Sequence, residues 1–146
     1  MSDESTTAFT LTLKDNYAFT VDFGEDGPPP IMVDEMPPLG HGEGPSPTRL
    51  LGAALAGCLG ASLLFCLRKA RVDVPAMRTE VRVSSGRNAK GRLRVTNVDV
   101  HVVPTVPADQ IARMTRCLEV FEDFCTVTAA VRDGVQVNVS VDTQPA

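Results

Sequence analysis

Two thiols far apart along the chain, Cys58 and Cys125, carry the most pointed chemistry in this sequence. Cys58 lies in the uncharged stretch Leu50–Leu67, with Gly57 beside it and Gly60 two positions on, so a substrate or second sulfur has room to approach a buried thiol. Cys125 opens Cys-Thr-Val-Thr-Ala-Ala-Val-Arg-Asp-Gly, where Thr126–Val131 reads as a short helix whose amino end favours a thiolate. A thiolate that attacks a peroxide O–O bond becomes a sulfenic acid, and a neighbouring thiol converts that to a disulfide. Two cysteines on separate elements suit such a cycle. Cys66 and Cys117 read instead as small buried hydrophobes. Cys66 is eight residues beyond Cys58, turned about 80° around a helix, and Cys117 is flanked by apolar helical positions.

Metal chemistry has little to work with. No Cys-x-x-Cys occurs, and only His41 and His101 add imidazole, so a zinc site is not expected. A net charge of −4 gives no concentrated basic surface for phosphate, which argues against a nucleic-acid partner. Arg78, Arg82, Arg92 and Arg94 alternate with apolar neighbours and read as the wet face of a hairpin. The charge is uneven: nine acidic residues stand against Lys14 before Ser46, which suggests an acidic arm lying on a basic body. Met1–Thr7 is polar and acidic, unlike a secretory leader, so a cytoplasmic location with reduced thiols is the expectation.

The elements that must position the thiols follow from periodicity. Phe9, Leu11 and Leu13, then Tyr17, Phe19, Val21 and Phe23, alternate with polar or small residues around Asp15-Asn16, which predicts an N-terminal hairpin within 1–24 with one face buried. Residues 25–46 are rich in proline, glycine and acid, with only Ile31-Met32-Val33 apolar, and read as a flap or an intersubunit arm. Ser46-Pro47 starts a central helix over 47–71. Its apolar residues encircle the axis, so it is either fully buried or crosses a membrane; at eighteen residues the uncharged run barely reaches the span threshold, and the buried reading is preferred. Strands follow over 76–103, with a bulge expected near Thr96-Asn97 where the alternation changes parity. A second helix is predicted over 107–124, with Ile111, Met114, Leu118 and Phe121 at spacings of three and four. After Asp133-Gly134, Val135, Val137, Val139 and Val141 predict a final strand over 134–142. The whole reads as a single α+β domain: an antiparallel sheet with a long buried central helix. One sheet cannot cover a helix that is apolar on every side, so an intimate homodimer is expected.

Ser-Pro-Thr-Arg-Leu-Leu-Gly-Ala-Ala-Leu-Ala-Gly-Cys at 46–58, the Lys-Ala that follows the helix and Cys125-Thr-Val-Thr together resemble the OsmC and Ohr hydroperoxide-reductase family. The resemblance runs from about Ile31 to Asp142, and eleven residues separate Pro47 from Cys58, as in that family. It implies an intertwined homodimer with cysteine-bearing helices packed centrally and active sites at the subunit interface. It also implies reduction of organic hydroperoxides without metal or flavin, with Cys58 as the peroxidatic and Cys125 as the resolving cysteine, and a dithiol reductant closing the cycle.

The chain departs from that pattern in two places. Peroxidase branches of the family place a glutamate one or two residues after the proline, where this chain has Thr48 and Arg49, and they use an arginine from the amino-terminal region, where this chain has none. Arg49, Glu43 and His41 are the candidate substitutes. The first reading is therefore thiol-dependent reduction of organic hydroperoxides by a cytoplasmic homodimer. The alternative is a catalytically degenerate OsmC-like dimer that binds a small apolar ligand at the subunit interface; a membrane-anchored subunit is the third possibility.

Overall fold

The structure is a computed structural model that describes residues 4–146, so the first three residues of the expected hairpin segment lie outside the described residues. The chain is α+β, with antiparallel sheets and one long helix, and divides into two compact units. Among the described residues, one comprises 4–53 with Arg82–Asp99; the other comprises Ala54–Val81 and Val100–Ala146.

In the first unit, β1 (Thr10–Asp15) and β2 (Ala18–Asp22) form the expected hairpin, with Leu11 opposite Val21 and Leu13 opposite Phe19. Asn16 takes the turn at φ 50°, a left-handed conformation that asparagine tolerates better than most residues. Within the segment expected as flap, Ile31–Val33 is a third strand, β3, paired antiparallel to β2 with Phe19 opposite Val33. The apolar triplet was long enough to extend the sheet. Ala18, Val21 and Val33 are buried, but Phe9, Leu11 and Leu13 are exposed, so the β1 side of the hairpin's apolar face is uncovered in the single chain.

The remainder of that loop is organised by Asp34. Its buried carboxylate accepts the backbone N–H groups of Glu35 at 2.7 Å, His41 at 3.2 Å and Glu43 at 3.0 Å. The Glu43 N–H is the strongest influence on Asp34 and, with those of His41 and Glu35, holds its carboxyl below the ordinary value against the opposing effect of burial. A long acidic loop is thereby closed on a single side chain. Ser46 then caps the long helix α1 (Pro47–Lys69): the Arg49 N–H donates to Ser46 Oγ at 3.3 Å and the Leu50 N–H to the Ser46 carbonyl at 3.0 Å.

In the second unit α1 ends in a Schellman arrangement. Arg71 has φ 58°, its N–H donates to the Arg68 carbonyl, and the Val72 N–H reaches back to the Leu67 carbonyl. Val72 is buried beside Leu67 and Leu63, and Cys66, Val74, Met77, Val102, Met114 and Phe121 pack around them. Just beyond α1, the Asp73 N–H donates to Gln110 Oε1 at 2.7 Å while Gln110 Nε2 donates to Asp73 Oδ2 at 2.9 Å, and Arg113 donates to the Arg71 carbonyl.

β4 (Ala76–Arg87) and β5 (Leu93–Thr105) form a hairpin whose turn is closed by Asn88. β5 is half-buried through Val98, Val100 and Val102, whereas Leu93 and Val95 are exposed. Two further expectations are corrected. The helix predicted over 107–124 is a 3-10 helix at Ala108–Met114, then α2 (Thr115–Val120), then a 3-10 turn at Phe121–Phe124. Ile111 and Leu118, which would complete the predicted stripe, are exposed, while Met114, Cys117 and Phe121 face the core. The strand predicted over 134–142 does not pair: past α3 (Thr126–Asp133) the backbone carries no regular structure, and Val135 to Val141 are 65 to 84 % exposed at the alternating positions. A strand needs a partner edge for its N–H and C=O groups, and none is in place for this one in the single chain. In the single chain α1 is covered along one stripe only. Leu55, Ala56, Leu59, Leu63 and Leu67 form a buried stripe at helical spacing, while Ala54, Gly57, Ala61 and Phe65 are exposed. By length and composition α1 also meets the requirement for a membrane span.

Candidate functional site

The second unit brings Cys58 and Cys125 together. Cys58 is carried by the middle of α1, where the buried stripe orients the helix, and it is half-buried. Cys125 occupies the N-cap position of α3 in an extended conformation (φ −84°, ψ 95°) and is fully buried. Both thiols are free, and Cys58 is among the groups that lower the Cys125 thiol. The backbone N–H of Val127, in the first turn of α3, donates to Cys58 Sγ at 3.5 Å. Thus Cys125 stands immediately before α3, and the first turn of that helix meets the Cys58 sulfur with a backbone N–H.

Thr128 and Ser62 complete the surroundings, and neither was singled out from the sequence. Cys125 Sγ and Thr128 Oγ1 are 2.9 Å apart and hydrogen-bonded, the thiol donating when protonated and the hydroxyl donating when the sulfur is ionised. Burial is the largest single influence on Cys125 and pushes its thiol up. The hydrogen bonds of Cys58, of the Thr128 side chain and backbone, and of Ser62 together outweigh burial and hold the thiol below its ordinary value. At the far end of α3, Arg132 donates to Glu122 Oε1 at 2.6 Å; this hydrogen bond first, then the Glu122 charge and the negative Cys125, raise the Arg132 pKa. The signal for these residues was spacing. Ser62 is one helical turn beyond Cys58, and Thr128 is three residues and Arg132 seven residues beyond Cys125, all on matching faces.

The other candidates lie in the first unit. His41 and Glu43 give their backbone N–H groups to Asp34, and Arg49 gives its own to the Ser46 cap; all three residues are exposed. Along α1 nine residues separate Arg49 from Cys58, two and a half turns, so the two leave that helix on opposite faces.

The expectation that Cys66 and Cys117 are merely buried hydrophobes is corrected: they form a disulfide between α1 and α2, with Cα atoms 5.6 Å apart. Helical phase had separated Cys66 from Cys58 correctly, but it gave no view of which element lay opposite. The bridge joins the two elements leading to the free thiols, eight residues after Cys58 and eight before Cys125. Among the described residues, no group of three His, Cys, Asp or Glu side chains could hold a metal ion.

Comparison with solved structures supports the same architecture. An OsmC-like protein of unknown function from Vibrio cholerae superposes with TM-score 0.72 at 21 % identity, covering 87 % of this chain and 94 % of that one. An OsmC-like protein from Mycoplasma pneumoniae gives TM-score 0.73 at 17 % identity, covering 90 % of each chain. An organic hydroperoxide resistance protein OsmC from Legionella pneumophila gives TM-score 0.62 at 20 % identity, covering 90 % of this chain and 92 % of that one. At these identities the likeness is one of fold. No curated protein matches the chain. The model of the OsmC-like protein family matches residues 40–140, a stretch that contains α1, both free thiols and the elements between them. The chain belongs to the OsmC-like protein family, as a divergent member.

Proposed function

We propose that this protein reduces organic hydroperoxides with the Cys58 and Cys125 thiols, as a soluble, cytoplasmic homodimer. The observation that carries the reading is the meeting of the two sulfurs, 67 positions apart in sequence, at the start of α3. The Cys58 sulfur attacks the terminal oxygen of ROOH, forming an S–O bond as the O–O bond breaks and releasing ROH once the alkoxide takes up a proton. The Cys125 sulfur then attacks the sulfenic acid; an S–S bond forms and water leaves. A dithiol reduces that disulfide, becoming a disulfide itself and restoring both thiols. That Cys58 is half-buried and Cys125 buried supports Cys58 as the sulfur that meets substrate and Cys125 as the one that resolves it.

Surfaces left open in one chain support the dimer: the exposed face of α1 with Phe65, the apolar face of β1 and the unpaired valines of 135–141 are exposed apolar side chains of the kind that mark an interface. A second copy that covers α1 would also remove its membrane-like surface. Arg49, Glu43 and His41 are assigned as supporting groups supplied at the subunit interface.

Stopped-flow mixing of the reduced protein with cumene hydroperoxide tests the activity. The wild type is expected to lose two thiols per peroxide and Cys58→Ser to form no peroxide-dependent disulfide. Disulfide formation undiminished in Cys58→Ser removes the peroxidatic role from that residue. A wild type inert to hydroperoxide, recovered with an apolar molecule bound, supports the ligand-binding alternative instead.

A further inference from the structure

The arginine and glutamate that peroxidase branches of the family set beside the attacking cysteine have no counterpart at those positions here, yet Cys58 still has to lose a proton before it can attack. Only the thiolate is the nucleophile. We propose that Cys125 is the base that takes this proton, so that one residue both activates Cys58 and later resolves it. This inference rests on the peroxidase reading above and deepens it.

The geometry supports the assignment on four sides. The Cys58 sulfur reaches the first turn of α3, accepting the Val127 N–H at 3.5 Å two residues past Cys125, and Ser62, one turn along α1 from Cys58, joins the groups that lower the Cys125 thiol. From α3, the Thr128 hydroxyl lies 2.9 Å from Cys125 Sγ and the Thr128 backbone N–H faces it. Arg132 adds positive charge from the next turns of α3, partly compensated by Glu122 from the preceding 3-10 turn. Cys125 is fully buried, so water does not compete for the hydrogen bonds that hold its charge. The same burial keeps peroxide from it, which separates the base from the nucleophile.

The proton balance closes without another group. Cys125 as thiolate withdraws the proton of the Cys58 thiol while the Cys58 sulfur bonds to the terminal oxygen of ROOH. The O–O bond breaks, RO⁻ leaves, and the proton held on Cys125 passes to it, giving ROH and the Cys58 sulfenic acid. Cys125 is again a thiolate. It attacks the Cys58 sulfur, the S–O bond breaks, and the departing hydroxide takes a proton from solvent to become water. The dithiol then restores both cysteines.

Rapid mixing with one equivalent of cumene hydroperoxide, with dimedone present to trap sulfenic acid, separates base from resolver. Cys125→Ser and Cys125→Ala are expected to cleave peroxide roughly 100-fold more slowly than the wild type at pH 7, the loss typical of a missing general base. The deficit should shrink as the pH is raised and hydroxide replaces the base. Thr128→Val, which keeps both thiols, should move the wild-type pH–rate profile to higher pH. If the Cys125 variants, folded by circular dichroism, cleave at the wild-type rate and simply accumulate dimedone-labelled Cys58, Cys125 is a resolver alone and the inference is overturned. A wild type that cleaves no peroxide defeats the peroxidase reading itself, and this inference with it.

Discussion

Breaking the Cys66–Cys117 bridge should cost this protein a large share of its stability. The crosslink closes a loop with a sequence separation of 51 residues. On the chain-entropy account, opening such a loop returns about 4 kcal/mol of conformational freedom to the unfolded chain at 25 °C. A domain this size is stable by only about 5 to 15 kcal/mol in total. A Cys58→Ser background prevents the free pair from forming a second disulfide. Urea melts of its oxidised and dithiothreitol-reduced forms, and of the same chain carrying Cys66→Ala and Cys117→Ala, would be compared at one fixed protomer concentration, since a dimer's apparent stability depends on it. With a slope of about 2 kcal/mol per M, both reduction and the double substitution should lower the midpoint by about 2 M. Coincident melting of oxidised and reduced protein would refute the reasoning: the bond would then either not form in solution or not constrain the unfolded chain.

Two further outcomes follow from the titrating groups. Asp34→Ala should free the N–H groups of Glu35, His41 and Glu43, so hydrogen exchange at those amides should quicken several-fold while exchange in α1 holds; unchanged exchange at His41 and Glu43 would remove Asp34 as the organiser of the loop. Because its folded-state pKa is depressed, Asp34 contributes stability that is present above the ordinary carboxylate range and lost as pH falls through its lowered value. Cys125 is depressed as well, so the reduced protein should gain stability as pH rises from the lowered Cys125 value towards the ordinary thiol value of about 8.5, and lose it on the way down. Chemical denaturation of reduced wild type and Cys125→Ala across that window checks this; parallel pH dependences would contradict the depressed thiol.

Much of this protein could be read along the chain, because capping and periodicity are local. Ser46-Pro47 and the uncharged run after it specify where α1 begins and how far it extends, since a capping hydroxyl and a fixed φ act within a single turn. Cys58 and Cys125 were recognisable by their neighbours for a similar reason: a glycine-flanked thiol on a helix and a thiol opening another are local patterns. Tertiary structure decided what those residues meet. Whether Cys66 sits against Cys117, whether the hydroxyls of Ser62 and Thr128 converge on Cys125, and whether Ile31–Val33 adds to a sheet all depend on approaches across long stretches of sequence. The valines at 135–141 show the limit most plainly. Their alternation states that one face is to be buried, but a strand forms only where another edge accepts its backbone hydrogen bonds, and no residue spacing within the segment supplies that edge.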